Sequence, residues 1–305
     1  MTTERFYPIG TSGQPWTERE KQKWQQSQTR FRRYKNDVLD VIHQLNHEYD
    51  IVQYGELRYG NDVYPLMAAK SKEWDDNLPI ALVTGGVHGY ETSGVLGALR
   101  FLTEYKNAYA GRLNLLVVPC VSPWAYEHVA RWNYEAIDTN RQFFTEGKAE
   151  ESRSLMAFVE PWQGRFLVHV DLHETTDTDE SEFSPALAAR DGGQYVPDTI
   201  PDGFYLVSDI NNSRLDFQGA IISAVSKVTH IAPADPQGKM LGFPVVSPGV
   251  IEYDNHAYHL CSTMTDAPFT TTTEVYPDSA ETSAEECIQA QVVVVRTAIA
   301  FALAN

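Results

Sequence analysis

The chain has 305 residues, 43% hydrophobic and 11% aromatic, with no low-complexity stretch to divide it, which is enough material for one large core. Lys and Arg number 24 against 41 Asp and Glu, a net charge of −17 with no basic cluster, so nucleic acid is disfavoured as a partner. The first residues lack the apolar core of a signal peptide and no uncharged run of 18 apolar residues occurs. A cytoplasmic protein without a membrane partner is therefore expected.

In chain order, Thr17 opens a polar segment in which Trp24, Phe31, Tyr34, Val38, Val41, Ile42 and Leu45 recur at spacings near three and four, predicting an amphipathic helical segment over about 17–47. Strand-type runs follow at 50–57 and 62–70, with "RYGND" as the turn between them, and at 79–86, where the run is apolar on both faces. "SGVLGALRFLTEY" reads as a helix leading to a second buried strand at 112–121. A helix near 150–161 precedes a third such strand at 165–173. Residues 175–204 read as an irregular loop, 212–230 as a helix, and the stretch to about 250 as Pro- and Gly-rich loops. A strand at 269–277 and a long C-terminal helix, with Ser283 and Glu286 as its capping pair, complete the chain. The pattern predicts a single α/β domain over 1–305, with a mixed, mostly parallel sheet flanked by helices on both faces. Cys120, Cys261 and Cys287 are odd in number and widely spaced, so small core residues are expected rather than a disulfide framework or a thiolate metal site.

Chemistry is expected where the strands of an open α/β sheet end. His88 and Glu91 follow the strand at 79–86, "DTNRQF" at 138–143 lies downstream of the strand at 112–121, and His173 ends the strand at 165–173. Two histidines and a carboxylate are a donor set that holds zinc and leaves its fourth position open. An HxxE alone is common by chance, and its bland reading is a surface turn. The weight comes from three strand ends delivering polar residues to one edge. His169 reads as a core histidine, and Glu174, next to His173 on a strand, is expected to face the opposite side and be structural.

Together "HGYE" (88–91), "RWNYEAIDTNRQF" (131–143), "VDLHE" (170–174) and "TTTTEVYP" (270–277) resemble, in kind and order, the motifs of the carboxypeptidase A-like zinc metallocarboxypeptidases, bacterial members above all. The resemblance covers about 200 residues and leaves the N-terminal 50 and the region 175–250 unmatched. It implies one zinc ion held by His88, Glu91 and His173, with Asp138 hydrogen-bonded to the far nitrogen of His88. It further implies that Asn140 and Arg141 hold the terminal carboxylate of a peptide, that Arg131 stabilises the oxyanion, and that Glu274 is the general base. Tyr253 is the candidate for the aromatic residue that closes over substrate, with Tyr258 as the alternative. Glu252 and Asp254 beside it would favour Lys or Arg at the substrate's C-terminus if they faced the pocket, although an acidic pair on a chain of net charge −17 is more often simply solvated.

The motifs are also similar to those of deacylases of the succinylglutamate desuccinylase and aspartoacylase type, which cleave an amide next to a carboxylate in a small acyl amino acid. The spacing RxNxxxxDxNR and the acidic "DTDES" after His173 favour the peptidase. A non-catalytic module on the same fold would have no chemical need for the whole set of residues.

Overall fold

The structure is a computed structural model that describes residues 6–197 and 199–305; residues 1–5 and 198 of the expected domain lie outside the described set. Helix α1 (Glu18–Ser27) begins at a capping box in which the Thr17 and Glu20 side chains satisfy backbone N–H groups. The helix does not continue to residue 47. Residues 28–33 are non-helical, and a π-helical turn (Lys35–Leu39) then leads into the short α2 (Asp40–Gln44). The break has a tertiary cause: the backbone N–H groups of Phe31 and Arg32 both donate to the Glu127 carbonyl, at 2.7 and 3.1 Å. Phe31, counted into the apolar face by spacing, ends 71% exposed.

Strands β1 (Tyr49–Tyr59) and β2 (Asp62–Ser71) form a hairpin whose two-residue turn starts at Gly60, with φ +61°. Then come β3 (Ile80–Gly85), α3 (Thr92–Glu104), β4 (Asn114–Val118), α4 (Pro123–His128), α5 (Glu150–Val159) and β5 (Phe166–Glu174). The second half adds α6 (Ser184–Asp191), β6 (Tyr205–Asp209), α7 (Leu215–Val225), β7 (Lys239–Met240), β8 (Phe243–Ser247), β9 (Val250–Tyr253), β10 (Phe269–Val275) and α8 (Ala284–Ala304). All ten strands make one sheet, in the order β1-β2-β4-β3-β5-β10-β6-β9-β8-β7. Its centre, β4-β3-β5-β10, is parallel, as is β6-β9, and the remaining pairs are antiparallel. This is the expected single α/β domain with a mixed sheet between helices, but among the described residues the sheet is parallel mainly at its centre and five of its nine strand pairs are antiparallel, where a mostly parallel sheet was expected.

Both faces of the central strands are buried. Along β3, Ala81 and Val83 pack into the larger core, while Ile80 and Leu82 pack into the cluster that includes Leu155 and Val159 of α5. Helix α8 is long and apolar enough to cross a membrane, but 56% of that window is buried in the structure and the helix packs on α3, α7 and the sheet. Each of its fully buried branched residues, such as Val295 and Ile299, contributes about 1.5–3 kcal/mol relative to an exposed side chain. The three cysteines are free and buried, as expected. Strands β6 to β9 were not legible as strands: they are two to five residues long and lie in a stretch punctuated by Pro and Gly. They widen the sheet beyond β10 and carry Tyr205, Val207 and Tyr253 to the rim of a cavity.

Candidate metal centre and cavity

The opening at the carboxyl ends of β3, β5 and β10 is a cavity of about 890 Å³. His88 and Glu91 reach it from the loop between β3 and α3. That loop turns at Gly86, with φ +60°, and lies so close to α4 that a Cβ on Gly89 would come within 1.9 Å of the Ala125 backbone. Only glycine fits there. Ser122 Oγ donates to the Val87 carbonyl at 2.7 Å and Tyr90 N to Ala130 O at 3.2 Å, so the loop is fixed on both sides.

His173 arrives on β5, where alternation sends Val168, Val170 and Leu172 into the core and His169, Asp171 and His173 to the other face. Glu274 arrives on β10, whose parallel register sets it directly beside His173. The donor atoms of His88, Glu91 and His173 all lie within 4.8 Å of one another, and the three residues are buried. His88 Nδ1 is 2.7 Å from Glu91 Oε1, and His173 Nδ1 is 2.7 Å from Glu91 Oε2. The second contact lacks hydrogen-bond geometry and leaves Oε2 a buried oxygen without a hydrogen-bond partner among the described residues. Three donors converging with one orphaned lone pair, all borderline-hard N and O atoms, fit a divalent cation such as zinc.

Each histidine is held from behind by a carboxylate. His88 Nε2 meets Asp138 Oδ1 at 3.0 Å, and His173 Nε2 meets Asp171 Oδ2 at 2.8 Å. These contacts fix the rings with Nδ1 toward the cavity. Asp171 was not singled out by sequence reasoning, although its place two residues before His173 on a strand puts both on one face. Thr84 Oγ1 in turn donates to Asp171 Oδ1 at 2.6 Å.

The electrostatics follow from this crowding. Burial opposes ionisation of Glu91, but the two imidazoles outweigh it and hold the carboxyl down at about 2. Asp138 is likewise held well below the ordinary range against the cost of burial, by Arg131 and His88. Glu274 goes the other way: burial, then the charge of Glu91, push it up to about 8. His169 is pushed down by burial to about 4 and is a neutral core residue bonded to Thr84 and Thr265. Glu174 faces away from the cavity and accepts from Ser93 N at the start of α3, at 2.8 Å.

The other candidates are distributed around the same opening. Arg131 lines the cavity and donates from Nε to Asp138 Oδ2 at 3.2 Å. Asn140 is buried on the floor, its Oδ1 accepting from Cys261 N at 2.8 Å and its Nδ2 lying 3.5 Å from His173 Nε2, so its oxygen is engaged by the fold. Arg141 lines the cavity, donates to the Asn140 carbonyl at 3.0 Å, and lies 5.7 Å from the centre of the Tyr258 ring. Tyr253 lines the cavity and packs on Phe243, with ring centroids 4.2 Å apart; Tyr258 is absent from the lining and 45% exposed. Glu252 and Asp254 do not line the cavity, because they flank Tyr253 on a strand end and point elsewhere, to Ser213 and to Asn211. Glu252 and Asp254 therefore do not supply an acidic pocket for a basic C-terminus.

The segments left unmatched by the motif resemblance build the outer wall. Pro15, Trp16 and Lys21 line it from the N-terminal side, and Glu180, Phe183, Leu187 and Arg190 from the turn and helix after β5. The two are joined by Trp16 N donating to Arg190 O at 2.8 Å. Thr272, two residues before Glu274 on the same face of β10, also lines the cavity, with a buried Oγ1 that has no hydrogen-bond partner among the described residues.

Comparison with solved structures shows a shared fold. A "putative metallopeptidase" from Shewanella amazonensis SB2B superposes with a TM-score of 0.66 at 19% identity, over 88% of this chain and 91% of that one. A metallo-carboxypeptidase from Burkholderia cenocepacia gives 0.58 at 13% identity, over 95% and 70%. Carboxypeptidase A from Helicoverpa armigera gives 0.58 at 12% identity, over 96% and 74%. No curated protein matches the chain. Residues 42–205 match the family model "Protein of unknown function (DUF2817)"; this is more than half of the chain, which belongs to that family.

Proposed function

We propose that the protein is a zinc-dependent carboxypeptidase that hydrolyses the C-terminal amide bond of peptides. The observation that carries this reading is the convergence of His88 Nδ1, Glu91 and His173 Nδ1, with Glu274 in register beside them, at the floor of a cavity that Arg131 and Arg141 also line. A zinc ion held there would supply Lewis acidity toward the scissile carbonyl, a bound water of pKa near 7, and positive charge that returns Glu274 to its carboxylate form.

The chain's own residues do the rest. Glu274, held by Thr175 Oγ1 at 2.9 Å, takes the proton of the attacking water and returns it to the leaving amine. Arg131 donates to the carbonyl oxygen as it gains charge. Arg141 presents a planar guanidinium to a free terminal carboxylate, which restricts cleavage to the last amide. A cavity of about 890 Å³ is roomy for a single acyl amino acid and supports a peptide as substrate.

A time course with zinc-replete and chelator-treated protein tests the reading, using peptides with free and amidated C-termini beside N-acetylaspartate and N-succinylglutamate. Release of single residues from the free C-terminus only, abolished by the chelator, is the expected result. Cleavage of the acyl amino acids alone would move the protein to the deacylase chemistry.

A further inference from the structure

Arg131 carries five N–H donors, and the structure accounts for three of them. Nε donates to Asp138 Oδ2, and Nη1 donates both to Tyr90 OH and to Asp179 Oδ1, each contact at 3.2 Å. Among the described residues Nη2 has no hydrogen-bond partner. The guanidinium is thus held through Nε and Nη1 by three groups from three separate segments.

Two of those groups lie outside every role assigned above. Tyr90 sits between the two residues of the HxxE motif, packed on Phe183 with ring centroids 4.6 Å apart, and its hydroxyl donates to Asp179 at 2.7 and 3.0 Å. Asp179 ends a tight turn after β5, in which Thr176 N donates to Asp179 Oδ2 at 2.8 Å and Asp179 N to Thr176 O at 3.0 Å. Both oxygens of Asp179 are therefore committed, Oδ1 to Tyr90 and Arg131, Oδ2 to Tyr90 and Thr176. A carboxylate so engaged is poorly placed to bind a substrate amine, and its side chain is only 18% exposed.

We propose that Asp179 and Tyr90 are positioning residues that hold Arg131 with its unspent Nη2 edge toward the oxygen on which charge develops, an inference that rests on the peptidase reading above. A flexible arginine would have to be ordered at the moment of reaction. A guanidinium fixed beforehand contributes to the transition state at no such cost, and a displacement of about 1 Å in a positioning group can cost about 100-fold in rate. The two flanking carboxylates, Asp138 and Asp179, also leave Arg131 without net local positive charge, so it acts as an oriented donor more than as a general anion trap.

The test uses zinc-loaded full-length protein and the variants Asp179→Asn, Tyr90→Phe, Arg131→Ala and each clamp variant combined with Arg131→Ala. The readouts are kcat and KM for a cleaved peptide, affinity for a phosphonate analogue of that peptide, and zinc content. Asp179→Asn and Tyr90→Phe are expected to lower kcat about 10- to 100-fold with KM within about twofold, and to weaken phosphonate binding in proportion. Zinc content is expected to be unchanged, and the effect of each clamp variant to vanish in the Arg131→Ala background. Losses that multiply in full with that of Arg131→Ala would overturn the proposal, as would a rise in KM with kcat intact. Should Asp179→Asn fail to fold, Tyr90→Phe, which removes one hydroxyl, carries the test. A wild-type protein that cleaves no peptide and binds no phosphonate would overturn the peptidase reading and the clamp with it, whereas additive losses in an active enzyme would sink the clamp alone.

Discussion

The floor and the rim of the cavity are built on opposite plans. On the floor, His88, Glu91 and His173 are at most 2% exposed, and both imidazoles are backed by a carboxylate that is itself hydrogen-bonded. On the rim, Arg141 is only partly buried and is steadied by one carbonyl and the ring of Tyr258, while Tyr253 rests on Phe243. Rigid donors on a strand and on a loop pinned from both sides suit a metal, whose geometry tolerates little error. A loosely held rim suits a ligand that arrives in more than one shape. On the proposed reading, the difference puts the chemistry in the scaffold and leaves recognition to side chains that can adjust.

Four substitutions probe that division. The largest effect is expected at Glu274→Gln, which leaves every metal ligand in place and removes the proton acceptor: kcat should fall about 100- to 10,000-fold with zinc content and KM little changed, measured by steady-state kinetics beside metal analysis. Loss of the metal in this variant would show that Glu274 belongs to the floor's ligand set instead. Next, Asp138→Asn and Asp171→Asn should each weaken zinc binding about 10- to 100-fold, read by competition with a chromophoric chelator. Equal zinc affinity for both variants and the wild type would mean that the carboxylates behind the rings are packing only. The smallest effect belongs to the rim: Arg141→Lys should raise KM about tenfold with kcat nearly intact, because an ammonium cannot reproduce the two parallel hydrogen bonds of a guanidinium. A fall in kcat with KM unchanged would remove Arg141 from substrate binding.

The floor was legible in the sequence because it is made of short-range patterns. HxxE, the alternating β5 and the DxNR turn each place their side chains by local geometry, and His173 and Glu274 then meet through strand order. The wall and the clamp were not legible for the complementary reason. Trp16 meets Arg190, and Arg131 meets Asp179, across 174 and 48 residues of chain, through contacts that no periodicity announces. Glu252 and Asp254 follow the plainer of their two readings, since acidic neighbours of a lining tyrosine on a strand alternate out of the cavity it lines. The N-terminal helix failed at Phe31 because a carbonyl at Glu127 offered the backbone a better partner than the next helical turn.

In the proposed reaction, the pairing of Glu274 with His173 makes strand register a condition of activity. The two residues are neighbours only because β10 settles against β5 at one offset, across about 100 residues of intervening chain. A slip of one residue would carry the proton acceptor to the opposite face and put Thr273 or Val275 in its place. The same slip would turn Phe269 and Val275 out of the core they pack into, so the offset that serves the proposed chemistry is also the one that burial selects. A substitution that weakens the packing of β10 is therefore expected to lose stability and activity together.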